Sequence, residues 1–245
     1  KWQHQLAYRC VRILYQTTKI SRLLPWSPVQ SAKATRNPSG KGMCEFLEHL
    51  KQRGGRVAFV STWNIRNYAL CSKHAEAIRA IFDPLPDIRQ DVEKQMKGLR
   101  SRTDLILGVH MRQGDYRKHK NGKLFFLAKD YRKWMEEFAR CFPGQKVGFA
   151  ICSDAKQHED DFLGLEFIFG TGNDQVDRYG NRRQAPVERA VIEDNYFLSL
   201  CDYILGTVST FCSWAAFRGN KPLLQVQCRR ENAFPERFAI PLGPD

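Results

Sequence analysis

The sequence predicts an α/β protein whose second part is built on a parallel β-sheet covered by helices on both faces. Three observations carry this. Short, nearly continuous apolar runs recur from Leu105 onward, too uninterrupted for half-exposed antiparallel strands. Segments of helical periodicity alternate with them. The chain, 245 residues with 42% apolar content, can bury a substantial core, at the upper limit of one domain or as one and a half.

Taken in order, residues 1 to 24 place Leu6, Val11, Ile13, Leu14 and Leu23 among Arg and Lys at helical spacing, and the breaker-rich Pro25-Trp26-Ser27-Pro28 follows. This predicts a basic amphipathic helix and then a loop. Small and basic residues from Ser31 to Gly42 predict a mobile surface loop, and Met43 to Lys51 a short helix. After Gly54-Gly55, Val57-Ala58-Phe59-Val60 reads as a buried strand. Residues 73 to 100 carry Ile78, Ile81, Phe82, Ile88, Val92 and Met96 with prolines at 84 and 86, predicting two short helices and a break. The texture changes at Asp104, so we expect a mostly helical region over 1–103 and a Rossmann-like domain over 104–245. In the latter, strands are expected at 105–109, 147–151, 167–169, 203–206 and 222–226, and helices at 130–142, 186–201 and 210–218. Parallel sheets bind ligands beyond the carboxyl ends of their strands, so the informative residues follow Val109, Ile151, Phe169, Gly206 and Val226.

The net charge of +13 predicts attraction to anions, which include nucleic acid, anionic membranes and phosphorylated small molecules. No apolar run approaches the roughly 18 residues of a membrane span, and the first residues show no secretory pattern. A cytoplasmic protein is expected, one that the basic first helix can hold to a membrane surface. Eight cysteines (Cys10, Cys44, Cys71, Cys141, Cys152, Cys201, Cys212, Cys228) lack CxxC spacing, and several lie in apolar runs, so reduced, buried thiols are expected.

Two segments at predicted strand ends carry chemistry. The first is His110-Met-Arg-Gln-Gly-Asp115-Tyr116, where strand alternation puts His110 and Arg112 on one side. A guanidinium there either pairs with a nearby carboxylate or holds two phosphate oxygens and meets the charge that grows on a departing diphosphate. His110 is a core histidine or a ligand. The second is Thr207-Val-Ser209-Thr210-Phe211, ahead of a helix, where Ser209 or Thr210 serves as N-cap. The same free N–H groups can hold an anion opposite Arg112. On the preceding helix, Asp194 is either solvated or faces the cleft, where its carboxylate could accept from a guanine edge. The sequence has no Walker loop, GxGxxG, HExxH or Asp-x-Asp pair, so phosphate charge is expected to be met by protein groups and no metal.

Together, His110-x-Arg112-x-Gly-Asp115-Tyr116, Asp194 eight residues before Asp202, and Ser209-Thr210-Phe211-x-x-Trp214-Ala-Ala-Phe217 resemble the fucosyltransferases that use GDP-fucose. The α1,2 group, with HxRRGDY and STFxxWAA, is the nearest pattern. The resemblance covers residues 104 to 228 and implies a GT-B fold of two Rossmann-like halves, with the donor nucleotide bound mainly by the second. It implies that His110 and Asp194 contact guanine while Arg112 and Ser209 hold the phosphates, with Thr210 and Phe211 as neighbouring donor contacts. Gln113 departs from the pattern, standing where the family has a second arginine. The strand and Gly-Asn loop with which these enzymes begin have no counterpart in residues 1 to 60, so an incomplete first, acceptor-side half is expected.

The chemistry implied is attack of an acceptor glycan's hydroxyl on the fucose anomeric carbon, with inversion and loss of GDP, and with Asp115 as the candidate base. Asp115 also reads as a carboxylate capping its own turn. No cofactor beyond the donor substrate and no nucleic-acid partner is expected. The competing readings are a non-catalytic nucleotide- or glycan-binding module and an anionic-surface binder.

Overall fold

A computed structural model describes residues 29–32, 57–60, 68–175 and 187–241, together with Glu48 and Gln52. The chain divides into two compact units, residues 1–75 and 76–245.

In the first unit, β1 (Val29–Ala32) pairs in parallel with β2 (Val57–Val60), Val29 opposite Val57. The strand expected at Val57 is present. Ser31 and Ala32, expected to open a surface loop, instead finish β1. Small polar residues hold little preference of their own, and pairing with the stronger strand former decides. A short helix, α1 (Tyr68–Lys73), follows and was not anticipated. Glu48, within the helix expected over 43–51, is helical. The basic helix expected over 1–24 lies outside the described residues.

From the division at residue 75 onward come α2 (Ala75–Ile81) and α3 (Pro86–Arg100), the two helices and proline break expected. Pro86 sits at a helix start, where its missing N–H costs nothing. Then come β3 (Leu105–Met111), α4 (Ala128–Arg140), β4 (Val147–Ser153), β5 (Glu166–Phe169), α5 (Val187–Ser199), β6 (Tyr203–Thr207), α6 (Thr210–Gly219) and β7 (Leu223–Val226). The five strands form one wholly parallel sheet in the order β5-β4-β3-β6-β7.

Both faces of this sheet are covered. On α4, Tyr131, Trp134, Met135 and Phe138 recur at i, i+3, i+4 and i+7, are inaccessible to solvent, and meet Leu107, Val109 and Met111 of β3. Each such side chain stabilises the fold by roughly 1.5–3 kcal/mol. The opposite face of β3, through Ile106, meets Val92, Met96 and Leu99 of α3, Phe197 and Leu198 of α5, and Ala215 and Ala216 of α6. α3, grouped by the sequence with the first region, thus supplies part of one wall of this sheet.

Asp202, the carboxylate eight residues after Asp194, lies at the amino edge of the sheet. It accepts from both terminal Arg100 guanidinium nitrogens and from the Ile106 N–H at 2.8 Å, which locks α3 to β3 and β6. Cys152, Cys201 and Cys212 are buried free thiols, as expected. Cys141 and Cys228 are exposed, because they follow the ends of α4 and β7 and face solvent. Cys10 and Cys44 lie outside the described residues. Among the described residues no helix is long and apolar enough to cross a membrane.

Candidate functional site

Parallel pairing sends the carboxyl ends of β3, β4 and β6 to one edge, with His110 opposite both Cys152 and Gly206. The segments read as chemically informative leave the sheet there.

β3 runs two residues past its expected end, so His110 is inside it and Arg112 is the first residue beyond. His110 is 6% exposed. Its ring stacks on Phe211 at 4.6 Å between centroids, and its Nδ1 lies 3.0 Å from the Cys212 Sγ. Burial, reinforced by the Arg112 charge, pulls its pKa down to about 3, so the ring is neutral at physiological pH. Burial likewise pushes the Cys212 thiol up to about 12.

The sign of the His110 shift makes a prediction. The unfolded chain takes up a proton near pH 6.5 and the folded chain does not until about 3, so stability is retained above 6.5 and falls as pH drops between those values. The loss from this residue is about 1.4 kcal/mol per pH unit. Urea denaturation at pH 6 and pH 5 should show a shallower decline in His110→Gln than in the parent, and equal slopes would contradict the burial argument.

Beyond β3 the chain turns back on itself. Arg112 donates to both Asp115 carboxylate oxygens, Nε to Oδ1 at 2.9 Å and Nη2 to Oδ2 at 2.8 Å, and its guanidinium lies 4.9 Å from the Tyr116 ring centroid. Arg112 holds the Asp115 carboxyl below the usual range. The Tyr116 hydroxyl donates to the Val208 carbonyl, joining this turn to the segment that starts α6. There Ser209 is the N-cap, its Oγ accepting from the Phe211 N–H at 3.2 Å, and Thr210 is exposed at the first helical position. Asn195 Nδ2 donates to the Phe211 carbonyl at 3.0 Å, so α5 is tied to the same helix start.

Asp194 is buried, unlike an ordinary helix-surface carboxylate, and its Oδ1 accepts from the Gly172 N–H at 3.1 Å. The loop after β5, Gly170-Thr171-Gly172, wraps this carboxylate closely. A Cβ on Gly170 would come 2.4 Å from Oδ1, and one on Gly172 would come 2.2 Å from Oδ2. Only glycine permits that approach.

The structure therefore unites the His110–Arg112–Asp115–Tyr116 segment with Ser209, Thr210 and Phe211, and seats Asp194 in a glycine loop at the same edge of the sheet. Sequence reasoning missed two supports. Asp154, just past β4, accepts the N–H groups of Gln113 and Gly114 on one oxygen at 2.7 and 3.0 Å, which pins the Arg112 turn to the neighbouring strand. Its signal was position, the first carboxylate beyond an expected strand end. The other is the Gly170/Gly172 pair, visible as glycines flanking a strand end. Gln113 faces inward: its Nε2 donates to the Phe126 carbonyl at 2.7 Å and its Oε1 accepts from Gln157 at 2.8 Å. Among the described residues no three His, Cys, Asp or Glu side chains are grouped to hold a metal ion.

No family model and no curated protein matches the chain. Among solved structures it is similar to a point variant of Arabidopsis thaliana FUT1 in complex with GDP, with 13% identity, a TM-score of 0.57, and coverage of 89% of this chain and 54% of that chain. The likeness shows the fold, a fucosyltransferase-like α/β architecture of the GT-B type. The chain spans about half the length of the FUT1 chain it matches.

Proposed function

We propose that this chain is the donor-binding part of a metal-independent glycosyltransferase that moves fucose from GDP-fucose to a hydroxyl of a glycan acceptor with inversion, in an α1,2 linkage. The observation that carries the reading is the joint made by Tyr116: a permanently charged arginine and a helix start, both suited to phosphate oxygens, are fastened together at the carboxyl edge of a parallel sheet. The fold shared with a protein solved with GDP bound supports the same reading.

In this reading the acceptor oxygen bonds to the anomeric carbon and gives up its proton to water as the bond to the diphosphate breaks, and GDP departs with the electron pair. Arg112 and the N–H groups at the start of α6 meet the charge that develops on the leaving phosphate. His110, kept neutral and fixed against Phe211, and Asp194, fixed by Gly172, read the guanine. Asp115 spends both oxygens on Arg112, and that charge weakens it as a base. Its geometry suits the orienting of Arg112 better than removal of the acceptor proton.

GDP should raise the melting temperature of the protein while UDP and NAD, at equal concentration, should not. Equal shifts with all three would remove guanine recognition from the proposal. A GDP-specific shift without any turnover of GDP-fucose would leave a nucleotide-binding module.

A further inference from the structure

At the amino edge of the same sheet, where α5 and α6 end, lies a cavity of about 410 Å3 lined by Arg79, Asp83, Tyr196, Ser199, Arg218 and Lys221 among others. That size falls within the roughly 300–1,000 Å3 of small-molecule sites. It is separated from Ser209 by the length of α6, about 14 Å at the helical rise, so it is no extension of the donor site.

Three cations face it against one carboxylate, and the carboxylate is already paired: Asp83 accepts from Arg89 at 2.8 Å. Arg79 is accounted for by the fold, since its Nε donates to the Phe217 carbonyl at 2.8 Å and its Nη2 to Asn220 Oδ1 at 3.4 Å, finishing the carboxyl end of α6. Arg218 is not. Its Nη2 donates to the Phe82 carbonyl at 3.1 Å, but Nη1 is shut off from solvent and has no hydrogen-bond partner among the described residues. Burial lowers the Arg218 pKa from its ordinary value, and the opposing charge of Asp83 offsets this only in part. Lys221 makes no ion pair with a carboxylate among the described residues. Leu200 and the Tyr196 ring add apolar wall.

We propose that this cavity is a second binding site, for the phosphate group of a small anion, held by Arg218 and Lys221 with Arg79 behind them. A phosphate fits because it offers several acceptor oxygens to donors arriving from separate directions and carries the charge the lining lacks. The remaining volume takes an organic body along Tyr196 and Leu200.

The test uses the Arg112→Ala protein, so that phosphate binding at the donor site does not interfere, and titrates ribose 5-phosphate, inorganic phosphate and ribose by calorimetry. The sugar phosphate is expected to bind at one site per chain, ribose not at all, and Lys221→Gln to weaken the binding about tenfold. Inorganic phosphate binding as tightly as the sugar phosphate assigns the site to the free anion. Arg218→Gln should abolish binding, but its packing on Trp214 makes folding a concern, so the half-buried Lys221, which makes no such ring contact, carries the decision. No saturable binding of either phosphate, or binding indifferent to Lys221→Gln, overturns the proposal. Loss of GDP binding elsewhere in the molecule has no bearing on this outcome.

Discussion

Arg112→Ala is expected to slow transfer from GDP-fucose by about 10²–10³-fold, the usual consequence of removing one group that stabilises developing negative charge. Stability should barely change. Arg112 is a third exposed and Asp115 more than half, and ion pairs so wetted contribute between zero and about 1 kcal/mol. The loss would therefore be a loss of chemistry in a folded protein, readable as a fall in kcat with an unaltered melting curve. Asp115→Asn sharpens the result. It keeps the arginine's charge while weakening its tether, so it should cost far less than Arg112→Ala if Asp115 orients the guanidinium, and comparably if Asp115 takes the acceptor proton. Near-normal turnover in Arg112→Ala would sink the site assignment.

Gly172→Ala should be the most damaging single-methyl change near the site. The added carbon would meet Asp194 Oδ2 at 2.2 Å, and the carboxylate is held in place, because the residue is buried and its Oδ1 accepts from the Gly172 N–H. Overpacking of this kind costs about 1–3 kcal/mol. Displacing Asp194 should also weaken GDP binding, by at least about tenfold if the carboxylate makes one charge-assisted hydrogen bond to the base. Denaturation and calorimetry on the same variant check both effects. A stable Gly172→Ala protein with normal GDP affinity would show that the loop yields and that Asp194 does not read the base.

The parallel sheet was legible because its strands are apolar on both sides, a pattern that strands half-open to water do not produce. Boundaries shifted by one or two residues, and β3 reaches Met111, which keeps His110 within the strand whose alternation sets it on one side with Arg112. The motif residues were found because strand alternation and helix starts are local properties. Asp154 and the Gly170/Gly172 loop were not, because their roles exist only after distant segments meet: 40 or 41 residues separate Asp154 from the amides it holds, and 22 separate Gly172 from Asp194. For the same reason β1 was hidden, its strand identity residing in its partner. Asp202 gives the converse lesson, a carboxylate within the recognised pattern whose partners make it a brace between α3 and the sheet.

The groups proposed to hold the donor are already engaged within the protein, Arg112 with Asp115, Asp194 with Gly172, and Ser209 with Phe211. On the proposed function, a diphosphate arriving at Arg112 would trade one anionic partner for another, and its affinity would be the difference between the two contacts. Such a site would release its product readily. It would favour turnover over retention, and binding would depend on how firmly the arginine's own carboxylate competes.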